Sequence, residues 1–170
     1  MKKKKEYEEQ EEEGEIDEST KTKEQNNIGF SIWDCGGQEV LHHMFLTSNA
    51  IYVVVFDIPK MILDSSSELD FVKYWINAIT LDAPVSLIVL VGTHKDEIKE
   101  TLQWKSISKL LQDTFLGTNN KNKNILDFNQ QQELWFYPID NMSDDHEKGL
   151  ELRSRFELLA LEKDPKLNSN

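Results

Sequence analysis

A mostly parallel sheet flanked by helices, the α/β class, is what this sequence predicts, and three observations carry the prediction. Two runs, the β-branched and aromatic Ile51-Tyr-Val-Val-Val-Phe-Asp57 and the mainly aliphatic Val85-Ser-Leu-Ile-Val-Leu-Val91, have the composition of buried strands, the first covered on both faces. Amphipathic helical patterns follow each of them. Polar residues suited to chemistry stand just after two strand ends, the rim where open α/β sheets hold ligands.

Composition sets the outer limits. The 170 residues hold enough material for one domain with a real core, and the 38% hydrophobic content is low partly because the first 27 residues contribute almost none. A formal charge of −12 and a pI near 4.8 argue against nucleic-acid binding, which needs a basic face to displace counterions. A single cysteine, Cys35, excludes an intramolecular disulfide framework and fits the reducing cytoplasm. No apolar run reaches the ~18 residues of a membrane span.

Taken in order, residues 1–27 are a lysine block, a glutamate-rich block and a polar stretch. They cannot bury enough apolar surface to offset their ordering entropy, so a disordered charged tail is expected there. The domain is expected over 28–162, with a second disordered tail at 163–170. Its first strand places Ile28, Phe30 and Ile32 on one face and delivers Asp34 at its carboxyl end. Val40–Thr47 carries an apolar pattern broken by His42 and His43, which point different ways on a helix and have no carboxylate or cysteine cluster to make a metal site. Cys35 has no neighbour in sequence that lowers its pKa, and is not read as a nucleophile.

Ile51–Asp57 is then expected to be a central strand. Pro59–Ser67 reads as a loop, with Ser66 or Ser67 capping a helix that buries Phe71, Tyr74, Trp75, Ala78 and Ile79. The strand ending at Val91 releases Thr93-His94-Lys95-Asp96. Trp104, Ile107, Leu111 and Phe115 mark the next helix, ending near Gly117. Thr118–Asn129 reads as an exposed loop and Leu134–Ile139 as the last strand, with Asp140 and Asn141 at its end. A final helix buries Leu152, Phe156 and Leu159, and Pro165 closes the ordered chain.

Two motifs carry the chemistry. In Trp33-Asp34-Cys35-Gly36-Gly37-Gln38-Glu39-Val40, two glycines let the backbone approach a bulky anion, a carboxylate can hold hydrated magnesium and a glutamine can orient water. The second is Leu90-Val91-Gly92-Thr93-His94-Lys95-Asp96. Together with His43-Met-Phe-Leu-Thr, they resemble the Roc (Ras of complex proteins) domain of Roco proteins, within the Ras-like small GTPases. The resemblance runs from about Ile28 to Leu161, and the Thr-His-x-Asp form is the Roc variant of the guanine-reading loop.

The resemblance implies a Ras-like P-loop GTPase fold that binds GTP or GDP with Mg2+. Asp34 is implied as the magnesium-holding residue, Gly37 as the γ-phosphate contact and Gln38 as the catalytic residue that positions water. Thr93 would brace the base-reading loop and His94 would lie against the base. Asp96 would accept from the N1–H and exocyclic amine of guanine, a bidentate pair that adenine cannot reproduce. A polar loop whose aspartate merely caps the next helix is the plainer reading of the same four residues.

One part of that pattern is absent. A phosphate-binding loop needs Gly-x-x-x-x-Gly-Lys-Ser/Thr between a strand and a helix, and no Gly-Lys pair occurs in the 170 residues. About four charge-assisted phosphate contacts at ~1.5–2.5 kcal/mol each amount to ~6–10 kcal/mol, or roughly four to seven decades of affinity. The expectation is therefore a domain truncated at its N-terminus, without the first strand and phosphate loop, binding guanine nucleotide weakly or not at all and inactive alone. The alternative is a catalytically dead pseudo-GTPase or interaction fragment of a larger Roco protein, which meets a protein partner through the switch region or an open sheet edge.

Overall fold

The computed structural model describes residues 46–47, 50–117, 126–140 and 146–163, with side chains over 151–162 in the last segment. All of them lie in one compact unit, Ser31–Asn170. The elements are β1 (Ile51–Asp57), α1 (Ile58–Leu63), α2 (Ser65–Asp82), β2 (Leu87–Thr93), a 3-10 turn (Lys95–Glu97), α3 (Thr101–Phe115), β3 (Tyr137–Pro138) and α4 (His146–Lys163). The described sheet is parallel throughout, in the order β1-β2-β3, and helices flank it. This is the Ras-like α/β class expected from the sequence.

β1 and β2 pair from Ile51 opposite Leu87 to Asp57 opposite Thr93, so both strands end at the same level. Strand alternation then divides the interior in two. Val54, Phe56, Ile88 and Leu90 join Ile58, Met61, Val72, Ile76, Ile107 and Leu111 on the side of α1, α2 and α3. Val89, Val91 and Tyr137 meet Leu159 of α4, with Leu152 and Phe156 partly buried beside them, as the helical spacing predicts.

Several expectations need correction. The cover expected on both faces of β1 is incomplete, since Val53 and Val55 are 45% and 48% exposed on the face that α4 covers further along; β1 stands at the edge of the described sheet, and the strand expected before it lies outside the described residues. Part of Pro59–Ser67 is helix: Asp57 Oδ1 accepts from the Lys60 amide at 2.9 Å, and Pro59 sits in the first turn, where its missing N–H costs nothing. The cap of α2 is Asp64, not Ser66 or Ser67. Its carboxylate accepts from the Ser66 hydroxyl at 2.8 Å and the Ser67 amide at 3.3 Å, and these bonds hold its pKa below the usual value.

The buried stripe of α2 is Leu69, Val72, Ile76 and Ile79. Phe71 and Tyr74 stay more than two-fifths exposed and stack edge-on against Trp75 instead. α3 buries Ile107, Leu111 and Phe115 as expected. Of the segment expected to be an exposed loop, Leu126, Asp127 and Asn129 are buried, and Leu126 bridges to Ile88. The last strand is shorter than expected, because Leu134 pairs back with Asn129 and the chain bends at Trp135 and Phe136 before pairing at Tyr137 and Pro138.

Candidate functional site

The site candidate starts from the end of β2. Gly92 has no room for a side chain: a Cβ there would lie 2.6 Å from Ile58 Cγ1 and 3.1 Å from Phe136 Cδ2. This close approach of α1 and the segment before β3 draws three elements together under the rim. Thr93 follows, 8% exposed, and its hydroxyl donates to the Phe56 carbonyl at 3.2 Å, tying the loop to β1.

His94 then turns the chain through left-handed geometry (φ 61°, ψ 40°), a conformation that histidine adopts more readily than most side chains. The backbone beyond is held from the other side. The Lys95 amide donates to the Ile139 carbonyl at 3.1 Å, and the Ile139 amide donates to the Gly92 carbonyl at 2.8 Å. Glu97 N–H to His94 O (3.2 Å) and Ile98 N–H to Lys95 O (3.2 Å) close the turn. Lys95 Nζ lies 5.3 Å from the centre of the Trp104 ring, a cation–π contact to α3 worth about 0.5–1 kcal/mol.

Asp96 is exposed at the apex of this turn. Among the described residues its carboxylate has no hydrogen-bond or ion-pair partner. It does not cap α3, whose N-cap is Glu100. The plain helix-cap reading of Asp96 is thereby removed, and an acceptor-only group is left facing solvent on a braced loop.

Thr93, His94 and Asp96 are thus brought onto one rim loop. Asp34, Gly37 and Gln38 lie outside the described residues, as do Cys35, His42, His43 and Asn141. Asp140 is partly buried just beyond β3. The described residues include no group of three or more His, Cys, Asp or Glu arranged to hold a metal ion.

One participant was missed in the sequence. Asp57, the last residue of β1, has Oδ2 3.5 Å from His94 Nδ1, and its amide donates to Glu68 Oε1 at 2.9 Å. The Asp-x-Pro pattern at a strand end, which signals a cap, would have singled it out. A depression of about 330 Å³ along α3, lined by Lys105, Ser108, Gln112 and Glu133 among others, includes no residue of the loop. It is an open polar groove without convergent chemistry.

Among the described residues no helix is long and apolar enough to cross a membrane. Residues 3–96 match the family model described as "Ras of Complex, Roc, domain of DAPkinase". The chain is similar to the probable serine/threonine-protein kinase roco6 of Dictyostelium discoideum, 35% identical over 91 residues, which cover 52% of this chain and 4% of the relative. Roco5 of the same organism, also a probable serine/threonine-protein kinase, is 35% identical over 85 residues, 48% of this chain and 3% of its own length. Leucine-rich repeat serine/threonine-protein kinase 1 of Mus musculus is 28% identical over 87 residues, 49% of this chain and 4% of its own. The chain therefore spans only a few per cent of the length of the curated relatives it matches. No solved structure matches it at comparable significance. With more than half of its residues under the Roc model, and with a parallel α/β sheet carrying Thr-His-x-Asp on its rim, the chain belongs to the Roc family of Ras-like GTPase domains.

Proposed function

We propose that this chain reads guanine nucleotide through the Thr93–Asp96 loop, as a cytoplasmic signalling module of the Roc type. The observation that carries the reading is the free, exposed Asp96 carboxylate on a turn braced from β1 by Thr93 and from the β3 side by Ile139. An acceptor-only group fits the N1–H and amino donors of guanine and meets no such pair on adenine. Asp34, Gly37 and Gln38 supply the remaining roles in this reading, at magnesium, the γ-phosphate and the attacking water. Bound Mg2+ supplies charge neutralisation at the phosphates. In this reading the domain spans 28–162.

The test is titration of the folded chain with fluorescent GDP and GTP in magnesium. Saturable binding that ATP does not compete, weakened at least about tenfold (~1.4 kcal/mol) in Asp96→Asn, is the expected result. No binding up to millimolar nucleotide refutes the reading.

A second reading has its own observation. Val53 and Val55 leave an apolar strip on the edge strand of the described sheet, which suits a protein partner rather than a nucleotide. A pseudo-GTPase of this kind would bind no nucleotide, and Val53→Lys with Val55→Lys would abolish its association while leaving its melting temperature within a few degrees.

A further inference from the structure

We propose that Asp57 is a positioning residue which, with Thr93, fixes His94 as its Nδ1–H tautomer and so turns Nε2 into a hydrogen-bond acceptor on the guanine-loop rim. The proposal rests on which groups surround one ring nitrogen. His94 Nδ1 has Thr93 Oγ1 at 3.1 Å and Asp57 Oδ2 at 3.5 Å. The threonine hydroxyl has a single proton, and that proton is directed at the Phe56 carbonyl at 3.2 Å. Toward His94 it therefore offers a lone pair. A carboxylate offers lone pairs only, so both oxygens demand a proton on Nδ1. In the neutral ring Nε2 is then bare, and with the side chain 40% exposed it is open to a donor from outside.

Asp57 is held in place for this through its Oδ1 and its amide, while Oδ2 stands between His94 and Lys60. Oδ1 caps α1 through the Lys60 amide at 2.9 Å, its own amide is held by Glu68, and Lys60 Nζ stands 3.5 Å from Oδ2. The register that sets Asp57 opposite Thr93 brings the carboxylate to the loop. The donor that Nε2 would accept is an amino or hydroxyl group of the bound nucleotide, and this clause alone rests on the guanine-nucleotide reading.

Long-range 1H–15N NMR of the neutral imidazoles at about pH 8.5 reads the tautomer directly, the His94 signals being those lost in His94→Gln. The expected result is Nδ1–H in the wild type. In Asp57→Asn the side-chain oxygen stays on the Lys60 amide, since Asn caps as well as Asp, and its NH2 group takes the place of Oδ2. Two donors would then face each other, so the ring is expected to move to Nε2–H. Asp57→Ser, which still caps but is too short to reach His94, is expected to give a mixture. Wild-type His94 in the Nε2–H form, or a tautomer unchanged in both variants, overturns the proposal.

GDP titration of the same samples is read separately, with roughly two- to tenfold weaker binding expected for Asp57→Asn, the range of one hydrogen bond. Absence of GDP binding to a wild type that shows Nδ1–H would sink the nucleotide reading and leave the tautomer lock standing.

Discussion

Replacing Asp127 by asparagine tests how the rim is held in place from below. Asp127 is 5% exposed and accepts three bonds: from the Tyr137 hydroxyl at 2.7 Å, from Arg155 Nε at 3.1 Å and from Arg155 NH2 at 2.5 Å. It thereby joins the segment after Leu126 and α4 to β3, two residues before the Ile139 that grips the loop. Asparagine keeps one acceptor, loses the charge and places an NH2 group against a donor. Breaking a fully buried pair costs about 3–5 kcal/mol. The Arg155 side chain is 23% exposed and keeps Glu162 at 3.6 Å, which brings the expectation down to about 2–3 kcal/mol.

At 170 residues that is a fall of roughly 5–10 °C in melting temperature. Tyr137→Phe removes one neutral bond and is expected to cost about 1 kcal/mol. Burial first, and then the bond to Asp127, push the Tyr137 pKa well above its ordinary value of 10. A raised folded pKa means that this contribution is complete below about pH 10 and fades as pH rises toward the folded value. Urea melts of the three proteins at pH 7 and pH 10.5 measure both effects. An Asp127→Asn protein within about 0.5 kcal/mol of wild type, or one no worse than Tyr137→Phe, would refute the claim that this network fastens α4.

Gly92→Ala is expected to lose about 1–3 kcal/mol, because the new methyl collides with Ile58, and urea melting measures it. Ser108→Ala leaves the Trp135 amide, now bonded to Ser108 Oγ at 2.9 Å, without its partner, and about 1–2 kcal/mol should disappear from the same melts. Asp64→Ala lowers stability at pH 7, and its difference from wild type narrows as pH falls. The lowered pKa of Asp64 makes its contribution present above about pH 4 and lost as pH falls through the folded value, so thermal melts across that range should converge.

What could be read in the sequence followed from how local each cause is. The Leu87–Thr93 strand and the Thr101–Phe115 helix were legible because one apolar run or one helical stripe determines each. The helix at Ile58–Leu63 was not, because it depends on a cap from Asp57 that looks, in one dimension, like the end of a strand before a proline. On α2 the aromatic and aliphatic residues offer competing stripes, and packing into the core against β1 settles the choice for the aliphatic one. Strand composition also overstated the cover on Val53 and Val55, since coverage belongs to neighbouring elements and not to the strand itself. At the site, Thr93, His94 and Asp96 are contiguous and were found by motif. Asp57 lies 37 positions from His94 and is joined to it only by strand register, which no local pattern displays.

The bracing of the guanine loop bears on how ligands would be ranked. With its backbone fixed by Gly92, Ile139 and Phe56, the loop is already ordered before anything binds, so recognising the base costs little conformational entropy. A chain with such a loop and no Gly-Lys phosphate cradle in its 170 residues has only Asp34, with Mg2+, and Gly37 to repay the added phosphates. Guanosine and GMP would then compete on nearly equal terms, and the affinity ladder from them to GDP and GTP separates what the base contributes from what those two residues add.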